Sequence, residues 1–187
     1  KMLGLDGVAG ITFNDASAQG TSALSGTRVP TAKMPTGAVL QAQSTSLAGA
    51  FSVSAAYGTW YDVTGLSVNI TPSSVNSKIL VFADVNCFAA SVYSSTQIVR
   101  SGTAIYQGSG GSQTGGNSLM EVYPIYTYGP WGFRTAVYLD SPATTSTTTY
   151  KIQVANISSG TYTVYVNNRG DSYFAVPSSI TVMEIAG

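Results

Sequence analysis

Short runs of β-branched and aromatic residues, separated by Gly, Pro, Asn or Ser, recur along the chain after residue 65. Within runs such as residues 150–154 and 180–185, apolar and polar side chains alternate with a period of two. This alternation is typical of β-strands that bury one face and expose the other. No stretch keeps an apolar stripe at helical spacing over three turns. The pattern therefore predicts an all-β protein, arranged as a jelly-roll-like sandwich of two sheets.

The individual runs give a set of predicted strands. They cover residues 38–43, 60–63, 66–71, 78–87, 92–100, 104–107, 119–128, 133–140, 148–156, 162–167 and 179–186. Ser101-Gly102-Thr103 predicts a tight hairpin turn between two of them. The last run is apolar up to the end of the chain, which predicts that the final strand lies centrally in its sheet.

The first 36 residues differ in pattern from the remainder. Leu3, Leu5, Ile11 and Phe13 stand singly among small polar residues, too sparse to fold alone and too many for a solvated linker. We expect residues 1–36 to be an extended, shaft-like or linker segment that gains order against other chains or the base of the sandwich. Residues 37–187 are expected to be the β-sandwich head domain. Because Lys1 precedes Met2 and the first thirty residues resemble an internal segment, the chain is expected to be the C-terminal piece of a longer protein.

Charge is scarce along this chain of 187 residues. Charged side chains make up 9% of it, and the eight basic and eight acidic ones cancel. Nucleic-acid binding requires clustered Lys and Arg, so we expect no nucleic-acid partner. No apolar run reaches the ~18 residues of a membrane-spanning helix, so no membrane insertion is expected. An uncharged, hydroxyl-rich surface suits a protein that packs into a larger assembly or is exposed outside cells.

Residue types that carry catalysis are few. The chain has no His and one Cys, which excludes serine-triad catalysis, a disulfide within the chain and Cys-based metal sites, and we expect no enzyme activity, cofactor or metal. Cys87 is in phase with the apolar residues before it and is expected to be buried. The acidic residues are scattered, and ion pairs or turn hydrogen bonds account for Asp140 and Glu184 without paired-carboxylate chemistry.

The densest aromatic cluster lies at residues 121–133. Tyr126, Tyr128 and Trp131 flank a Gly-Pro turn there, so some of these rings are expected to reach the surface. Tyr and Trp offer a flat apolar face with a polar edge, which suits stacking on a sugar ring or contact with a protein. The alternative is that they fill the core or a subunit interface.

A glycine-rich loop at residues 108–117 is the second candidate. It lacks the Lys and the following helix of a phosphate-binding P-loop, so it predicts a surface loop. Together with the aromatic turn it is expected to form a binding face, with Gln113 and Asn117 as polar contacts.

Several strand motifs resemble the C-terminal head domain of phage tail fibres, especially a module recurrent in marine and environmental phages. They lie at residues 70–74, 77–81, 98–105, 139–143, 149–151 and 179–185, and residues 9–14 resemble the stretch that joins such heads to the fibre shaft. The resemblance implies a homotrimeric β-sandwich knob, extracellular, at the tail-fibre tip of the virion. It further implies binding to a host cell-surface receptor, either a glycan or an outer-membrane protein, and attachment to the rest of the virion fibre.

Two other functions remain open from the sequence. One is a purely structural virion component, such as a head fibre or decoration knob, without a receptor of its own. The other is a depolymerase that cuts surface polysaccharide. Glycan binding without cleavage favours the receptor-binding head, no binding favours the structural component, and released oligosaccharides favour the depolymerase.

Overall fold

The computed structural model describes residues 11–12, 18–19, 34–89, 92–109, 120–122, 132–168 and 175–187. These residues form strands and turns, and none of them is helical. The strands are β1 (Ile11–Thr12), β2 (Ala18–Gln19), β3 (Val39–Leu47), β4 (Phe51–Ala56), β5 (Trp60–Ile70), β6 (Lys78–Ala89), β7 (Ser94–Arg100), β8 (Thr103–Ile105), β9 (Met120–Val122), β10 (Gly132–Asp140), β11 (Thr148–Asn156), β12 (Thr161–Val166) and β13 (Ser178–Ile185).

Two antiparallel sheets form the sandwich. The first sheet runs β3-β13-β6-β12-β4, and β10 pairs with the other edge of β6. The second runs β5-β11-β7-β8, with β9 beside β7. Strands near the two ends of the sandwich sequence pair with each other, and strands closer to its middle pair inside them. The pairs are β3 with β13, β5 with β11, β6 with β10, and β7 with β8. That nesting is the jelly-roll arrangement, so the predicted fold class is confirmed.

Strand β13 lies between β3 and β6 and pairs with both. The predicted central position of the last strand is therefore confirmed. Directly after β13, the carbonyl of Ala186 accepts a hydrogen bond from the amide of Gly37, at 2.8 Å, so the end of the chain lies beside residue 37. The domain boundary near residue 37 and the role of residues 1–36 stay predictions. Within those 36 residues the structure describes β1 and β2, which pair antiparallel, and residues 34–36.

The core lies between the inner faces of the two sheets. Alternate residues of β6 from Ile79 to Cys87 are buried against Ile98 of β7 and Ile152 of β11. Cys87 is buried, as predicted. Burying each such aliphatic side chain contributes roughly 1.5–3 kcal/mol relative to exposing it. Period-two alternation places these residues on one face and leaves the intervening ones to face outward.

The hairpin between β7 and β8 forms as predicted. Arg100 pairs with Thr103, and the two residues between them have positive φ angles, 45° at Ser101 and 92° at Gly102. Positive φ at both central positions defines a two-residue turn whose twist matches the flanking strands. Glycine adopts this conformation without steric cost, which explains its place in the turn.

The strand predictions need two corrections: two predicted strands are one, and one strand was missed. The runs at residues 60–63 and 66–71 form one strand, β5, because a bulge at Gly65 (φ 93°) keeps both halves paired with β11. Strand β4 was not predicted, since its small Ser and Ala side chains give little β-propensity. It forms because β12 supplies its hydrogen-bonding partner along its whole length.

Candidate functional site

The binding residues predicted from the sequence lie outside the described residues. They are Gln113, Asn117, Tyr126, Tyr128 and Trp131. Of the glycine-rich loop the structure describes Gly108 and Ser109, both exposed. The prediction of a receptor contact there stays a prediction, and the described residues present five other features.

The outward face of the first sheet carries large apolar side chains. Phe82 of β6 is 36% exposed, and Val137 and Leu139 of β10 are 49% and 53% exposed. Leu80 and Met183, on the same face, are partly buried. We call these five residues the apolar face.

The pairing register makes the apolar face continuous. Leu80 pairs with Leu139 on one side and Met183 on the other, and Phe82 pairs with Val137 on one side. Side chains directly opposite on neighbouring strands lie about 4.5–5.5 Å apart at Cβ, so two adjacent rows form one apolar surface. Contiguous exposed apolar surface of this kind marks an interaction site.

A continuous apolar run in the sequence indicated this face. Residues 79–82 are continuously apolar, whereas a strand with one solvated face alternates. Both faces of β6 therefore had to meet apolar surroundings. One is the core, and the other is the apolar face.

The second sheet carries a polar network on its outward face instead. Gln107 donates to Gln97, Gln97 donates to Gln153, and Gln153 donates to Asp62, at 2.8, 2.7 and 2.7 Å between amide nitrogen and acceptor oxygen. Lys151 also donates to Asp62, at 2.7 Å. We call these five residues the polar ladder.

The polar ladder ends on a carboxylate stabilised by its donors. Hydrogen bonds from Lys151 and then from Gln153 lower the pKa of Asp62. Its side chain is 53% exposed, so water screens the pair and its contribution to stability is small.

A buried charged cluster joins the two sheets at one end of the sandwich. Arg100 of β7 donates to both carboxylate oxygens of Asp140 at the end of β10, at 2.7 and 2.9 Å. The buried hydroxyl of Tyr150 donates to the same carboxylate at 2.7 Å. Burial first, and then this hydrogen bond, raise the pKa of Tyr150 far above its usual range. The predicted ion pairing of Asp140 is confirmed, and its role is structural.

Glu184 of β13 is fully buried, and its partners are neutral. Gln41 donates to one carboxylate oxygen, and the amide and hydroxyl of Ser73 and the hydroxyl of Ser77 donate to the other, each at 2.7 Å. Burial raises the pKa of Glu184, but these hydrogen bonds outweigh it and hold the pKa below its usual value. Glu184 thereby fastens the turn before β6 to β3 and β13, with no cation among its partners.

The fifth feature is an aromatic pair where the edges of the two sheets meet. Tyr106, directly after β8 in the second sheet, stacks on Tyr138 of β10 in the first, with ring centroids 4.7 Å apart. Tyr106 is 47% exposed and has a positive φ of 53°. Nothing in the local sequence predicts that backbone conformation at a tyrosine.

Metal sites and membrane spans are two other kinds of site. Across the described parts of the chain, no three His, Cys, Asp or Glu side chains come close enough together to hold a metal ion. Those parts likewise contain no helix long and apolar enough to cross a membrane.

No protein-family model matches the sequence, and no curated protein matches it. Among solved structures, Eiger TNF from S. frugiperda is similar in fold, with 14% identity, a TM-score of 0.35 and 78% of this chain and 93% of that chain covered.

Two viral structures are also similar. They are the T=1 particles derived from infectious bursal virus, at 13% identity and TM-score 0.36, and the VP2 subviral particle of infectious bursal disease virus, at 10% and 0.33. Each match covers 80% of this chain, which spans only 37% and 38% of those two chains. At these TM-scores the likenesses carry no argument about function, and the jelly-roll assignment depends on the strand pairing described above.

Proposed function

We propose that the chain forms the receptor-binding distal head of a phage tail fibre, assembled as a homotrimer and exposed at the fibre tip. The strand motifs that resemble tail-fibre heads support this proposal, and they lie on the jelly-roll scaffold. The observation that carries it is the apolar face of the first sheet, because contiguous exposed apolar side chains mark a surface that contacts another molecule.

The apolar face favours copies of this chain as its occupant. Its two rows contain no charged side chain, and the nearest outward-facing charges on β6 are Lys78 before it and Asp84 after it. A closed ring of copies hides such a face completely, whereas an open arrangement would continue to grow.

Three is the number that the tail-fibre resemblance implies. In a trimer the first sheets would face the central axis, and the second sheets, with the polar ladder outward, would form the exterior. Each chain then contributes one set of loops to the outer end of the head.

Receptor contact is assigned to the loops, as the sequence indicates. Residues 108–117, with Gln113 and Asn117, follow β8, and Tyr126, Tyr128 and Trp131 precede β10. A rigid sandwich fixes the position of such loops, while glycine lets the backbone approach a ligand closely. Stacking rings and amides give affinity without charge, which suits a chain so poor in ionic groups. The head then acts by binding and needs no cofactor or catalytic residue.

The test is binding of the purified chain, fluorescently labelled, to a panel of bacterial strains, together with competition against phage adsorption. We expect binding to one host range, and loss of binding in the Tyr126→Ala/Tyr128→Ala/Trp131→Ala variant with the oligomer intact. Absence of binding to all strains would contradict the proposal in favour of a structural virion component. Release of oligosaccharides from bound cells would contradict it in favour of a depolymerase.

A further inference from the structure

Tyr106 has a backbone conformation that is unusual for a bulky residue. Its φ of 53° lies in the left-handed region, which bulky side chains rarely adopt and which costs of order 1 kcal/mol or more. Nearly half of the side chain is exposed, so burial returns little of that cost. Strained, exposed residues of this kind concentrate at ligand-binding sites.

The ring of Tyr106 is also held in place. It stacks on Tyr138 with 23° between the ring planes and 4.7 Å between centroids. Stacking of this kind contributes about 0.5–1.5 kcal/mol and restricts the rotation of the ring. The ring is therefore positioned before any ligand arrives, which reduces the entropy lost on binding.

The next residue along the chain, Gln107, carries a polar group that is positioned as well. Gln107 is exposed, and its amide nitrogen is engaged by Gln97, the next member of the polar ladder. That bond fixes the orientation of the amide and leaves its carbonyl oxygen as an acceptor for a hydroxyl. Because each amide of the ladder donates to the next, the orientation of Gln107 is set by a network that ends at Asp62.

We propose that Tyr106 and Gln107 form a subsite for a neutral sugar ring of a host-surface glycan. The tyrosine ring would stack on the apolar C–H face of the sugar, and Gln107 would accept a hydrogen bond from one of its hydroxyls. Residues 103–109 carry no charge, which matches a neutral saccharide. The subsite lies directly before the glycine-rich loop at residues 108–117. The inference rests on the proposed receptor-binding function and names the class of its ligand.

The experiment uses the whole chain on a printed array of bacterial surface polysaccharides and neutral hexose and N-acetylhexosamine oligosaccharides. Tyr106→Gly removes the ring and relieves the strained backbone, so it is expected to fold. Tyr106→Phe keeps the ring and removes only the hydroxyl. Tyr162→Ala removes another exposed tyrosine, 42% exposed on β12, as the matched control.

We expect the unaltered chain to bind a neutral glycan, Tyr106→Gly to bind at least tenfold more weakly, and Tyr106→Phe and Tyr162→Ala to bind within about threefold of it. Melting temperature and oligomeric state should be the same in all four. Equal glycan binding by Tyr106→Gly overturns the subsite while leaving receptor binding in place. The subsite is also overturned if the chain binds host cells, protease treatment of the cells abolishes that binding, and no glycan on the array is bound. In that case the receptor is a protein. Failure to bind both cells and glycans overturns the proposed function itself, and the subsite with it.

Discussion

The outward faces of the two sheets are opposites. On the first sheet, Leu80, Phe82, Val137, Leu139 and Met183 form an apolar surface that nothing among the described residues covers fully. On the second sheet, a chain of amide and carboxylate groups runs across the strands from Gln107 to Asp62. The two faces belong to one sandwich and share one core.

The difference indicates which side of the molecule still requires a partner. Polar groups on the second sheet bond to one another, and Gln97 in the middle of the polar ladder is buried, so the hydrogen bonds of that face need no further partner. Apolar groups on the first sheet gain free energy only if a further surface removes them from water. The first sheet is therefore the side that the proposed homotrimer would bury, and the second sheet is the side that it would leave outward.

The largest effect is expected from a charge placed in the apolar face. Val137→Asp would bury an unpaired carboxylate between subunits, at a cost of several kcal/mol per copy. We expect sedimentation velocity to show monomers at micromolar concentration. Val75→Asp is the matched control, because Val75 is also exposed, at 56%, but lies in the turn before β6. If Val137→Asp remained assembled like Val75→Asp, the apolar face would not be the interface.

The next largest effect is expected at the cluster that holds the two sheets together. Asp140→Ala removes the acceptor of both Arg100 and the buried Tyr150, which should reduce the free energy of unfolding by about 3 kcal/mol or more. Urea denaturation at fixed protein concentration measures this. A loss below about 1 kcal/mol would show that the packed core alone joins the sheets.

Glu184→Gln should have an intermediate effect that depends on pH. Its amide and hydroxyl partners donate to the carboxylate, so the NH2 group of Gln would face a donor, and we expect a loss of about 1–3 kcal/mol at pH 7. The pKa of Glu184 is lowered from 4.5, so its contribution is present above that pH and is lost as the pH falls through the folded-state pKa. Denaturation across pH 3–7 should show the gap between variant and unaltered chain closing in acid. A constant gap would contradict this account.

The smallest effect is expected on the solvent side. Asp62→Ala breaks an ion pair whose N–O distance, 2.7 Å, equals that of the Arg100–Asp140 pair. Because Asp62 is more than half exposed, the loss should stay within about 1 kcal/mol. The same urea titration compares it with Asp140→Ala. Equal losses at the two sites would mean that burial does not distinguish them.

The sequence predicted the fold well where side chains alternate strongly. Strand β11 was predicted with the bounds that the structure gives, because Tyr150, Ile152 and Val154 alternate with polar residues that face outward. Strand β4 was missed because its small side chains carry little signal, and its pairing with β12 is non-local.

The candidate sites were harder to predict. The apolar face depends on which strands become neighbours, since Leu139 and Met183 are far from Leu80 in sequence and meet it only through the sheet register. The polar ladder and the Tyr106–Tyr138 stack likewise arise from tertiary contacts. Glu184 was expected to have an ion pair or turn hydrogen bonds, and it is bound by neutral donors from two other segments.

The most direct test of the central claim, that the apolar face is buried between copies of the chain, is the mass of the unaltered protein in solution. Light scattering at micromolar concentration should give about three times the 19.3 kDa of one chain, unchanged on tenfold dilution. A stable particle of 19.3 kDa that remains soluble over the same range would contradict the account, because the apolar face would then be exposed to water with no partner.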